Sequence, residues 1–72
     1  MHQIQVSVAS PEEASHGVAE FWAAGELFAF TRLEDGDLLL HVVPRRDGTT
    51  VVVAARHLGD ALEQARALLA RF

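Results

Sequence analysis

Two Asp-Gly pairs, Asp35-Gly36 and Asp47-Gly48, each stand between apolar runs. In that setting Asp-Gly is the strongest short-range signal for a hairpin closed by a two-residue type I′ turn. Such a turn sets the register of its strands. Leu33 is predicted to face Leu38, Phe30 to face His41 and Phe28 to face Val43; across the second turn Val43 faces Val52 and His41 faces Ala54. The result is an antiparallel three-strand meander through the middle of the chain.

The flanking segments supply the other elements. Ile4, Val6 and Val8 alternate with Gln3, Gln5 and Ser7, the pattern of a strand with one buried face. Ser10-Pro11-Glu12-Glu13 reads as a helix start, with a capping serine, proline at the first helical position and a glutamate that completes a capping box. Ala14, Val18, Phe21 and Trp22 then fall on one helical stripe up to a stop at Gly25. Gly17 lies inside this predicted helix, at a cost of about 1 kcal/mol relative to alanine. Leu58, Ala61, Leu62, Ala65, Leu68, Leu69 and Phe72 form a second stripe, with His57 as its N-cap and Asp60 in the first turn, where its charge suits the dipole. The predicted fold is α+β, a single domain over residues 1–72 in the order β-α-β-β-β-α. It is a two-layer sandwich in which the meander and the N-terminal strand carry both helices on one face.

A chain of 72 residues builds a small core, and stability at this size usually needs a disulfide, a metal or a partner chain. There is no cysteine, which removes disulfides and thiolate zinc sites. Half the residues are apolar, as a packed globule requires, while no apolar run approaches the roughly 18 residues of a membrane span. The expectation is a soluble cytoplasmic protein. Six arginines and no lysine against ten carboxylates give a formal charge of −4, a balance that disfavours binding to nucleic-acid phosphates. The Ala, Arg and Leu bias without lysine suggests a GC-rich bacterial gene.

The turn registers sort the meander into two faces. One carries Leu27, Ala29, Thr31, Leu33, Leu38, Leu40, Val42, Val51, Val53 and Ala55, and is expected to receive the helices. The other carries Phe28, Phe30, Arg32, Leu39, His41, Val43, Arg45, Thr50, Val52 and Ala54. A solvated face of an antiparallel sheet is normally polar, and this one is apolar at Phe28, Phe30, Leu39, Val43 and Val52. Three kinds of cover are open: the first helix lying on the opposite side from the last, a homodimer, or another protein or small apolar ligand held within a polar rim of Arg32, Arg45 and Thr50.

Side chains that carry chemistry are sparse. His2, His16, His41 and His57 show no metal-ligand spacing; His41 sits opposite Phe30 in the middle of the apolar face, where protonation is expected to weaken any contact. Glu34, Asp35 and Asp37 suit a solvated hairpin tip, and no serine has a histidine at a suggestive spacing. Trp22 and Phe21 read as core. In element order, α-β-β-β-α, residues 11–72 resemble double-stranded RNA-binding domains. That family's lysine-rich start of the last helix is replaced here by His57-Leu58-Gly59-Asp60-Ala61-Leu62-Glu63, so neither membership nor RNA binding is expected. The expectation is a non-enzymatic interaction module without cofactor or metal. It self-associates through Phe28, Phe30, Arg32, Leu39, His41, Val43, Arg45 and Val52, the alternative being a binder of an apolar or amphipathic small molecule on the same face.

Overall fold

The computed structural model describes residues 3–72. A four-stranded antiparallel sheet in the order β1-β2-β3-β4 and two helices make an α+β fold. The elements are β1 (Ile4–Ser7), α1 (Pro11–Ser15), β2 (Glu20–Ala23), β3 (Glu26–Glu34), β4 (Asp37–Val42) and α2 (Ala55–Leu69). His2 lies outside the described residues.

The first hairpin is the one read from Asp35-Gly36. Leu33 faces Leu38, Phe30 faces His41 and the Val43 N–H donates to the Phe28 carbonyl. Asp35 and Gly36 both take positive φ, as a type I′ turn demands. The helix predicted from Ser10 starts where expected, with the Ser10 hydroxyl accepting from the Glu13 N–H at 3.1 Å, but the Glu13 Oε2 has no hydrogen-bond partner and the capping box is only half formed. It then ends after five residues. The Gly17 N–H donates to the Ala14 carbonyl and the Val18 N–H to the Glu13 carbonyl, the paired bonds of a Schellman stop, with Gly17 at φ +71°. The glycine treated above as a tolerated flaw is the terminator.

Beyond it, Ala19, Phe21 and Ala23 are buried while Glu20 and Trp22 are only half-buried, a period of two in place of the predicted helical stripe. β2 lies between β1 and β3, pairing Val6 with Phe21 and Phe21 with Ala29.

The second hairpin is also corrected. Asp47-Gly48 does turn the chain, but the Arg45 N–H donates to the Thr49 carbonyl at 2.7 Å and only Gly48 takes positive φ. Three residues are enclosed instead of two, which shifts the register by one. No ladder follows, so Val43 does not pair with Val52 nor His41 with Ala54, and residues 49–54 cross to α2 as an irregular segment. α2 begins at Ala55 with Ala54 as its cap residue, three positions ahead of the predicted His57, and no side chain caps it.

The core is built of small residues. Ala19, Ala23, Ala29, Ala61 and Ala65 surround Phe21 and Phe28, with Ile4, Val6, Val8, Val51, Val53, Leu62 and Leu69 packed around them. Ala61 and Ala65 let α2 approach the sheet closely on the β1 side. With α1 so short, the helical layer is centred on β1 and the core residues of β2 and β3, and does not extend over β4.

Candidate functional site

β4 is an edge strand beyond the reach of α2, and on β3 the core residues Phe28, Ala29 and Thr31 are buried while Leu33, toward the hairpin tip, is exposed. On the helix side, register places Leu33, Leu38, Leu40 and Val42 in the same layer as Phe21 and Ala29. They were expected beneath the helices; instead Leu40 is 37% and Val42 57% exposed, with Leu33 also exposed. The predicted third strand of the meander would have paired with β4, and the predicted long first helix would have widened the helical layer. Neither exists.

The opposite face carries Gln5, Ser7, Glu20, Trp22, Leu27, Phe30, Arg32, Leu39 and His41 by pairing across the four strands, Leu27 standing there beside Trp22 and not beneath the helices as expected. At its centre the Phe30 and His41 rings stack with centroids 4.9 Å apart and planes 3° from parallel. Leu39, opposite Arg32, is 43% exposed. His41 Nε2 lies 3.3 Å from Glu34 Oε2, an ion-pair distance, although the approach lacks hydrogen-bond alignment.

The structure brings Phe30, Arg32, Leu39 and His41 together, and separates Phe28 from them. A β-bulge between β2 and β3 matches Phe21 with Ala29 and Trp22 with Leu27, leaving Phe28 as the extra residue. Phe28 thereby turns into the core, 6% exposed, with its ring centroid 6.4 Å from that of Phe21. Strict alternation had put it beside Phe30. Val43 is half-buried just past the end of β4. Arg45 stands at the rim, its Nε 3.1 Å from a Glu26 carboxylate oxygen. Val52 is exposed on the irregular segment and belongs to no strand. Trp22, read from the sequence as core, is half-buried on the helix-free face; the alternation of Ala19, Phe21 and Ala23 around it was the signal.

Two shallow hollows flank this surface. One, of about 480 Å³, is lined by Glu26, Leu27, Pro44, Arg45, Arg46 and Asp47. The other, of about 400 Å³, is lined by Ser10, Glu12, Glu13, His16, Val18 and Arg32. Among the described residues there is no group of three or more His, Asp or Glu side chains arranged to hold a metal ion. No described helix is long and apolar enough to cross a membrane. No family model matches this chain, and no curated protein or solved structure is significantly similar to it.

Proposed function

We propose that this chain is a small non-enzymatic interaction module that associates with a second copy of itself through β4 and the sheet surface around it, completing a two-layer α+β arrangement. The observation that carries this reading is that β4 is uncovered on both faces: Leu39 is 43% exposed on one, and Leu40 and Val42 are 37% and 57% exposed on the other. A six-residue edge strand with exposed aliphatic side chains on both faces is a template for another chain. Burying each contributes about 1 kcal/mol or more, a large fraction of what a core made mostly of alanine supplies.

The molecular surface supports the same reading. A compact monomer of 7.9 kDa exposes about 4,400 Å². This chain exposes 5006 Å².

Sedimentation velocity across a concentration series tests the proposal. The wild-type chain is expected to move from monomer to twice its mass as concentration rises. Leu40→Glu is expected to remain a folded monomer throughout, with its fold checked by circular dichroism. A wild-type chain that stays monomeric up to millimolar concentration rejects self-association.

A further inference from the structure

Resting on that self-association, the geometry points to one arrangement of the two copies: β4 pairs antiparallel with β4 of the partner subunit about a twofold axis at Leu40. The two sheets then join into one, and the acidic hairpin tip of each copy lies beside the arginines that follow β4 in the other.

Hydrogen-bond direction restricts the possible registers. The N–H groups of Thr31 and Leu33 donate to the carbonyls of Ala19 and His16, on the β2 side of β3. The even-numbered residues of β3 therefore direct their backbone polar groups at β4, as the Val43 N–H to Phe28 carbonyl bond shows. Phe30 faces His41 and Arg32 faces Leu39, so the odd-numbered residues of β4 bond inward. Leu38, Leu40 and Val42 point their N–H and C=O groups out at the open edge, and these are the residues whose side chains line its uncovered helix side. An antiparallel pair must match outward residues with outward residues, which excludes any one-residue slip.

Centring on Leu40 matches Leu40 with itself and Leu38 with Val42, so all three outward residues are used. Centring on Leu39 instead sets Val42 against the turn residue Gly36.

Charge selects the same register. Glu34, Asp35 and Asp37 surround one end of β4, and Arg45 and Arg46 follow the other end after Pro44. Antiparallel pairing about Leu40 brings each acidic end beside the arginine end of the other copy. Centring on Leu39 moves Glu34 and Asp35 opposite Pro44 and Val43. Arg45 is shared with its own Glu26, while Arg46 is exposed and takes part in no ion pair among the described residues.

The chain can be made to repel itself in two complementary ways. Glu34→Arg with Asp37→Arg makes both ends of β4 basic, and Arg45→Glu with Arg46→Glu makes both acidic; Asp35 is left intact because its φ of 52° suits aspartate. Each double variant alone is expected to dimerise at least tenfold more weakly than wild type, and an equimolar mixture is expected to regain the wild-type mass, since both ends of the mixed pair are complementary. Because the chain has no cysteine, Leu40→Cys supplies a second readout: mild oxidation is expected to give a covalent dimer, while Ser7→Cys on β1 gives none. If wild type dimerises but the mixture stays monomeric, or Ser7→Cys cross-links in place of Leu40→Cys, this arrangement is wrong although self-association stands. A monomeric wild type overturns both.

Discussion

The Thr31 hydroxyl donates to the Gly17 carbonyl at 2.8 Å and accepts the Ala19 N–H at 3.0 Å. One buried side chain thus satisfies both backbone groups of the segment that leads from α1 into β2, while its own N–H donates to the Ala19 carbonyl. Thr31→Val keeps the shape, removes the hydroxyl and strands a buried donor and acceptor. The expected loss is about 2–3 kcal/mol in urea unfolding, with Thr31→Ser losing clearly less. Equal losses for the two variants would mean that the methyl group matters and the hydroxyl does not.

Gly17 is held by its neighbours as well as by its φ. A Cβ there would lie 2.9 Å from Leu33 Cβ and 3.0 Å from the Leu33 N, and φ is +71°. Gly36 shares the positive φ but has open space around it. Gly17→Ala is therefore expected to destabilise by about 2 kcal/mol or more, and Gly36→Ala by only about 1 kcal/mol. Thermal melts of the two variants side by side check the difference; a Gly17 variant as mild as the Gly36 variant refutes the steric account.

Ala24 is a local flaw open to repair. It takes φ 52° in the turn between β2 and β3, followed by Gly25 at φ 76°, and alanine pays roughly 1–2 kcal/mol for the left-handed region. Ala24→Asn is expected to stabilise by about 0.5–1 kcal/mol, a few degrees in Tm for a domain of this size. A lowered Tm contradicts that reading of the turn.

Asp47 titrates low. The Thr49 hydroxyl at 2.6 Å and the Thr49 N–H at 2.9 Å both donate to its Oδ1, and these bonds hold the carboxyl below its usual value of 3.8. A depressed folded-state pKa means that the contribution of the charged form is present above the unfolded value and is lost as pH falls through the folded one. Carboxyl-carbon NMR is expected to place the Asp47 midpoint below the ordinary aspartate value, and Thr49→Ala to raise it. A midpoint unmoved by Thr49→Ala would show that these bonds do not set it.

Legibility in the sequence followed the range of the interactions. The Asp35-Gly36 hairpin, the Ser10 cap and the stripe of α2 from Leu58 to Leu69 depend on residues a few positions apart, and each is where periodicity and turn chemistry put it, while Phe72, predicted to close the stripe, lies past the helix and is exposed. The stretch from Val18 to Ala23 carries both a helical stripe and a strand alternation, and only the neighbours β1 and β3 decide between them. Asp47-Gly48 shows the same limit at a smaller scale, because two- and three-residue loops share that signature and differ by one residue in register. Phe28 was misplaced because nothing local announces a bulge. Those three points together moved the open surface from one apolar face to both sides of β4.

The proposed twofold contact at β4 would also decide how far assembly can proceed. Pairing like with like uses the same edge of both chains, so the pair is closed. Joining β4 of one copy to β1 of the next would instead leave a free edge at each end and permit indefinite growth into fibres. β1 offers little to such growth: it is four residues long and turns Gln5 and Ser7 to the helix-free face. The arginine-to-carboxylate match at β4 would favour the closed pair, and so limit a small chain with an exposed edge to a particle of finite size.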